Sequence, residues 1–469
     1  MRETGDGAVT QPVTRSSTVD LGSLLDDGPW TVYQKLLVFA AAMTIILDGL
    51  DNQLLAAALP ALMREWHLAR PAFVPVQTAG MVGMMVGGFI GGFVGDRFGR
   101  RVALLGSVVV FGVLTVLVAF AGGVAILTAL RFLAGLGLGG AMPNAAALSS
   151  EYVPRRQRPF AVTLTIVCIP LGGSLAGIVG GQILPRFGWR GLFLVGGIVP
   201  LVMAAVLLKV LPESPRFLAR LPERWAQLRA LLRRAGHHVS DGAAFVDTTE
   251  KAVAHASARE LLAPDYRRDT LALCASYFFC LLSVYVGVNW VPSMLVGAGF
   301  DVATASYGLT AFNLGGVAGA VLGAMVIMRL GSRLTMLVMA AGAIAGAAVL
   351  AVMPIGAQSA FAVLGMLAWT GGLINAVQTT MYALAAHIYP TAVRATGVGT
   401  AVAVGRIGGV LSPWVGSWAL ESGGSSRYFG LIGVTMATAF VALAAIRRHV
   451  PRAWTVQAAS APAPQRVGS

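Results

Sequence analysis

Of 469 residues, 56% are hydrophobic and only 12% are charged, about half the charged share of an ordinary soluble domain, which excludes a large water-soluble core as the body of this protein. The net charge of +14 does not lead to a nucleic-acid partner, because the basic residues lie between long apolar stretches and not in one patch. The 58 glycines suit transmembrane helices, where small residues let backbones approach closely.

Residues 1–34 read as a polar tail, without a short apolar core ahead of a small-residue cleavage site, so no cleavable signal peptide is expected. Apolar segments of the roughly 20 residues needed to cross a bilayer follow at 35–59, 72–94, 102–122, 125–148, 160–184 and 191–211. A polar stretch over 212–268 reads as a linker with short helices and no core of its own. Six further spans are expected at 269–297, 303–328, 334–354, 360–388, 396–420 and 428–446, and a polar tail over 448–469. The expected fold is an all-α membrane protein of twelve transmembrane helices, with one six-helix half over 35–211 and a second over 269–447.

With the spans alternating from a cytoplasmic N-terminus, all but seven of the 34 Lys and Arg fall on the side that holds both tails, as cytoplasmic loops require. Arg64, Arg70, Arg186, Arg190 and Arg427 lie opposite, and Arg131 and Arg406 lie inside spans. Gly95-Asp96-Arg97-Phe98-Gly99-Arg100-Arg101 after the second span and Arg329-Leu330-Gly331-Ser332-Arg333 after the eighth form a weak internal repeat. Two such halves, with a site between them near the midplane, are an arrangement of secondary transporters.

Cys168, Cys274 and Cys280 sit in apolar stretches without metal-ligand spacing and read as small core residues. His237 and His238 are adjacent in the central linker but lack cysteine or acidic partners, and a solvated face is expected of them. No nucleotide-binding loop, metal cluster or nucleophile motif appears, so neither a cofactor nor an enzymatic activity is expected.

Charges kept inside spans cost about 2.5–3.5 kcal/mol each on insertion scales and are functional candidates by default. Asp48 and Asp51 stand three residues apart in the first span, close to one helical face, and are expected to face a cavity. There desolvation and mutual repulsion favour holding a proton on one of them. Replacement of either by Asn is then expected to leave protein abundance nearly unchanged. The alternative is that they pair with Arg or cap a helix broken at Gly49. Arg131 and Arg406, in opposite halves, can hold a carboxylate bidentately, or Arg131 can be neutralised by the aspartates of its own half.

Asn144, Asn289, Trp290, Asn313, Asn375 and Gln378 can line a cavity or bond between helices. His387, near the end of the tenth span, can titrate near neutrality, although hydrogen bonding is its expected role. In the Gly95–Arg101 turn the glycines let the chain reverse, and Asp96 can reach a helix N-terminus or an Arg on a neighbouring helix, a pair able to act as a latch.

The turn at 95–101 and Pro212-Glu213-Ser214-Pro215-Arg216-Phe217 resemble the major facilitator superfamily. Three narrower stretches resemble its aromatic acid:proton symporters: Asp48-Gly49-Leu50-Asp51, Gly137 to Asn144 running on to Glu151-Tyr152, and Tyr389-Pro390-Thr391-Ala392-Val393-Arg394-Ala395-Thr396-Gly397. The resemblance implies uptake of a small aromatic carboxylate, such as a benzoate or hydroxybenzoate, with protons, across a bacterial inner membrane; the charge count gives cytoplasmic termini, and a monomer is expected. The resemblance also implies that Asp48, Asp51, Asp96, Arg131, Glu151, Arg394 and Arg406 matter to transport. Leu50 stands where that family usually has an aromatic residue. The same architecture carrying a sugar, polyol or aliphatic organic acid is the alternative, since fold does not fix substrate.

Overall fold

The computed structural model describes residues 18–237, 239–240, 242–247, 258–390 and 393–451. Helices dominate because a chain in lipid must satisfy every backbone N–H and C=O internally. After β1 (Thr18–Asp20) comes α1 (Leu21–Asp26). Then α2 (Val32–Trp66) starts at a capping box, in which Thr31 and Gln34 each satisfy the other's backbone N–H, and stops at His67 in the left-handed region (φ 52°). Next come α3 (Val74–Phe98), α4 (Arg100–Val118), α5 (Val124–Tyr152) and α6 (Arg158–Val210). The short α7 (Pro215–Ala219) and α8 (Trp225–Arg234) precede β2 (Ala244–Val246). The chain continues through α9 (Pro264–Gly297), α10 (Val302–Leu330), α11 (Ser332–Val352), α12 (Ala360–Ile388) and α13 (Arg394–Ala445).

Ten helical segments among the described residues are long and apolar enough to cross a membrane. Two are far longer than one crossing needs: α6 has 53 residues and α13 has 52, about 80 Å if straight against a hydrocarbon core of about 30 Å. Each is really two helices joined across a break. In α6 the break is Gly188 (φ 64°, ψ −171°), and in α13 it is Gly423 and Gly424, the latter at φ 60°, ψ −150°. Only glycine adopts these positive-φ conformations without steric cost. Loops expected near 185–190 and 421–427 are thus compressed into hinges of one glycine in α6 and two in α13.

Helix pairing repeats along the chain. α2 packs on α6, α3 on α5, and α4 on both α5 and α6; likewise α9 packs on α13, α10 on α12, and α11 on both α12 and α13. The two sets meet where α6 touches α10, α3 touches α13 and α2 touches α9. Close approach in the corresponding pairs depends on missing side chains. A Cβ on Gly83 or Gly87 would come within 2.2 and 2.1 Å of the Phe132 and Leu136 carbonyls of α5, and one on Gly315 or Gly319 within 1.9 and 2.1 Å of the Ala368 and Gly372 carbonyls of α12.

The tail and linker are more structured than their polar composition suggests. β1 pairs in parallel with β2, from Thr18 opposite Ala244 to Asp20 opposite Val246. Leu21 and Leu25 of α1, Leu228, Leu231 and Leu232 of α8, and Phe245 of β2 are buried in one cluster with the ends of α2, α4, α5 and α6. The linker therefore shares a core with the helix bundle, which its short apolar runs, spread over distant segments, did not reveal. His237 does not lie on a solvated face: its ring is buried against Gly28, where a Cβ would sit 2.4 Å from Cε1, and burial pushes its pKa below the ordinary histidine value. His238 lies outside the described residues.

Candidate functional site in the cavity between the helix sets

The middle of α2 is clamped against α6. A Cβ on Gly49 would lie 2.3 Å from the Ile169 carbonyl, and one on Gly172 would lie 2.1 Å from the Ile46 carbonyl. This contact fixes the rotation of α2 and sends its two aspartates to different neighbours. Asp51 is fully buried and turned into its own helix set, where Thr115 Oγ1 donates to its Oδ1 (2.5 Å) and Arg131 NH1 pairs with its Oδ2 (3.3 Å). The expectation that both aspartates face the cavity is therefore corrected for Asp51, and the pairing alternative is the one seen for Arg131.

Asp48 takes the other direction. It lines a cavity between the sets with Arg406 of α13, and its Oδ1 is buried without a hydrogen-bond partner. Arg406 forms no hydrogen bond or ion pair among the described residues. Met81, Met84, Met142 and Ile169 make the walls of this lobe, which holds about 650 Å³ of atom-free space including its mouth. A second lobe of about 800 Å³ carries Asn313, Asn375, Gln378, Thr379 and Tyr382. The lobes share Asn52, Met142, Ile169, Tyr285 and Arg406, so the guanidinium stands at their junction. Gln53 and Asn313 exchange two hydrogen bonds across the sets (3.1 and 2.7 Å). Asn289 lines a third, smaller space with Gln77 and Arg131, and its Nδ2 donates to Ser412 Oγ (3.1 Å).

Three candidates for the lining belong elsewhere. Asn144 is fully buried between α3 and α5, its Nδ2 donating to the Gly91 and Gly140 carbonyls at 2.8 Å. Trp290 is fully buried against Gly416. His387 is exposed in the last turn of α12. Large side chains on a helix face read the same in sequence whether a cavity or a neighbouring helix covers them.

At the end of the bundle that carries the tails, Gly99 turns at φ 106°, and a Cβ there would lie 2.2 Å from Oε2 of Glu213. The Arg101 N–H donates to Glu213 Oε1 (3.0 Å), and the Tyr152 hydroxyl donates to the Glu213 carbonyl (2.6 Å). Glu151 bonds Ser214 Oγ and stands 3.9 Å from Arg100 Nε. Gly95 is held tight against Asn144, whose Oδ1 would be 1.9 Å from a Cβ there. Asp96, at the end of α3 and 62% exposed, pairs with Arg100 at the start of the neighbouring α4 (2.5 Å), the second of the two partners expected of it. Arg97 is exposed over the Phe98 ring, and Arg394 donates to the Tyr389 carbonyl (3.3 Å). Thr391 and Ala392 of that motif lie outside the described residues. The carboxylate that organises the turn is Glu213, visible in the sequence as part of Pro212–Phe217 but with no mark of its role.

At the opposite end the two sets are joined. Arg70 NH1 pairs with Glu421 Oε1 (2.9 Å) and its Nε reaches Ser293 Oγ (3.4 Å), while Thr310 Oγ1 donates to the Ser174 carbonyl (3.1 Å).

Residues 41–413 match the Major Facilitator Superfamily, with a second match over 273–467. The chain belongs to the major facilitator superfamily. It is a multi-pass membrane protein, and the relatives it matches are named as transporters. This superfamily member is 33% identical over 428 residues to the gallate transporter of Pseudomonas putida, covering 91% of this chain and 95% of that protein. It is 34% identical over 414 residues to the 4-hydroxybenzoate transporter PcaK of Pseudomonas aeruginosa, covering 86% and 90%. Its fold is similar to that of the xylose transporter XylE from E. coli in an inward open conformation, with a TM-score of 0.69 at 19% identity, over 89% of this chain and 97% of that one.

Proposed function

We propose that this protein is a proton-coupled symporter that imports a small aromatic carboxylate by alternating access. The observation that carries the reading is the guanidinium of Arg406, which stands at the junction of two cavity lobes with no hydrogen bond or ion pair among the described residues. A planar fork of donors suits a carboxylate, and the aromatic acids in the relatives' names supply the ring. An uncharged sugar or polyol offers no carboxylate to that fork.

Counting α6 and α13 as two spans each gives twelve, six before the linker and six after it, and the repeated helix pairing supports two halves related by pseudo-symmetry. The basic excess beside the tails supports cytoplasmic termini. Arg70 and Glu421 then close the outer side, and the cavity faces inward.

Charge accounting in the cavity gives the coupling. Asp51 and Arg131 neutralise each other, which leaves Asp48 and Arg406 to balance. Asp48 lies within Coulombic reach of Arg406, so in the empty cavity the two offset one another. When the substrate carboxylate takes Arg406, an ionised Asp48 would be a second, uncompensated anion in a low-dielectric space. A proton on Asp48 restores neutrality, so anion and proton cross together. Uptake of labelled hydroxybenzoate into vesicles under an imposed inward proton gradient tests this reading. Accumulation abolished by an uncoupler is expected; accumulation indifferent to the gradient would overturn the symport.

A further inference from the structure

Asn375, Gln378, Thr379 and Tyr382 recur at i, i+3, i+4 and i+7, which places them on one face of α12, and all four line the lobe that ends at Arg406. Two of them satisfy themselves. Asn375 Nδ2 donates to the Gly371 carbonyl and Thr379 Oγ1 to the Asn375 carbonyl, both at 2.9 Å. The side-chain amide of Gln378 and the hydroxyl of Tyr382 are half-buried and have no hydrogen-bond partner among the described residues. One helical turn apart, they offer both donors and acceptors to whatever enters.

The other lobe has a different chemistry. Met81 and Met84 reach it from α3, and Met142 and Ile169 border both lobes. Thioethers are polarizable and adaptable, and pack on aromatic faces and edges. A ligand anchored at the junction by its carboxylate therefore meets an apolar, sulfur-rich wall on one side and unsatisfied polar groups on the other.

We propose that the polar face of α12 reads ring hydroxyl groups, so that Gln378 and Tyr382 set a preference for ring-hydroxylated aromatic carboxylates over the bare ring. The proposal rests on the aromatic-acid reading above and adds the residues that choose among such acids. A site that hydrogen-bonds a substrate hydroxyl rejects the analogue without it, because the site's own polar groups are then left unpaired. Gln378 can donate to a phenol oxygen or accept from its hydrogen, and Tyr382 can do the same through one atom.

The test is uptake of labelled benzoate and labelled 4-hydroxybenzoate by the full-length protein in proteoliposomes, with the ratio of the two KM values as readout. Wild type is expected to favour the hydroxylated acid by about tenfold, the worth of one hydrogen bond at the upper end of its usual range. Gln378→Leu and Tyr382→Phe are each expected to narrow that ratio several-fold, through a larger rise in KM for 4-hydroxybenzoate than for benzoate. Tyr382→Phe removes one oxygen and keeps the ring, so it decides the matter if Gln378→Leu fails to insert. Equal KM values in wild type, or a ratio that neither change narrows, would overturn the proposal while leaving aromatic-acid transport standing. Uptake of neither acid would overturn that transport reading itself, and the proposal with it.

Discussion

Asp48 and Asp51 are separated by a step of about 300° around α2, and the remaining 60° sends one to the cavity and the other to Arg131. Their substitutions should therefore behave differently. Asp48→Asn is expected to abolish gradient-driven accumulation at nearly normal protein abundance, since its Oδ1 has no partner to lose. Asp51→Asn leaves the Arg131 guanidinium buried and uncompensated, a loss of about 3–5 kcal/mol for a broken buried pair, and should lower the melting temperature in detergent as well as transport. Equal melting temperatures for the two variants would show that the buried pair carries no stability. Arg406→Lys is expected to raise the KM for an aromatic acid by about tenfold, since an ammonium cannot reproduce the bidentate fork; an unchanged KM would remove the carboxylate from Arg406. The sequence marked all four of these residues, because charge inside an apolar span is rare enough to stand out. It did not say which pairs with which, because a step of three residues is compatible with one shared face and with two neighbours. Glu213 and Arg70 went unmarked for a related reason: outside the spans, one charge among many carries no cost that singles it out.

Helix pairs in this bundle are set by the glycines between them. Gly83, Gly87, Gly91 and Gly95 recur every fourth residue along α3 and form a smooth stripe against α5, a spacing readable in the sequence once the partner helix is known. Gly87→Val is expected to push α3 from α5 and destabilise the protein by about 1–3 kcal/mol or more, whereas Gly92→Ala, with nothing within 4 Å of its Cβ, should be tolerated. Thermal unfolding of both checks the pair, and equal losses would contradict the stripe. The segment after α13 is tied to the start of α11: Ser332 Oγ meets His449 Nδ1 (3.0 Å), the Val450 N–H donates to Ser332 Oγ (2.8 Å), and the Ser332 N–H donates to the Val450 carbonyl. Burial and then the Arg333 charge hold His449 below the ordinary histidine pKa, with Asp269 and nearby backbone carbonyls opposing. A lowered folded-state pKa means the unfolded segment binds the proton better. The strap should thus be fully held above about pH 6.5, the free histidine value, and weaken as pH falls below it. Amide exchange at residues 446–450 reads this directly, and protection that is flat from pH 5 to 8 would contradict it. Span positions were legible because apolar length is a local signal. The glycine hinges inside α6 and α13 and the pairing of β1 with β2 were not, since they depend on contacts between segments far apart in the chain.

For the whole molecule, the two helix sets enclose a cavity near mid-depth and are joined at the end away from the tails. The Arg70–Glu421 pair spans 351 positions in sequence. Glu421 is 48% exposed, so the pair is worth only about 0.2–1 kcal/mol. That is enough to move a balanced equilibrium between inward and outward forms by roughly 1.4-fold to fivefold. Arg70→Ala is accordingly expected to raise the rate at which an external thiol reagent labels a cysteine placed at Thr310, in a background lacking the three native cysteines; an unchanged rate would show that the pair does not hold the outer side closed. The central claim is that Asp48 carries a proton whenever Arg406 carries an aromatic anion. Simultaneous recording of proton and labelled hydroxybenzoate fluxes in proteoliposomes tests it most directly. The account predicts that the two fluxes rise together in wild type, and that Asp48→Asn exchanges the anion across the membrane while moving no protons. Proton flux that persists with the anion in Asp48→Asn would contradict it.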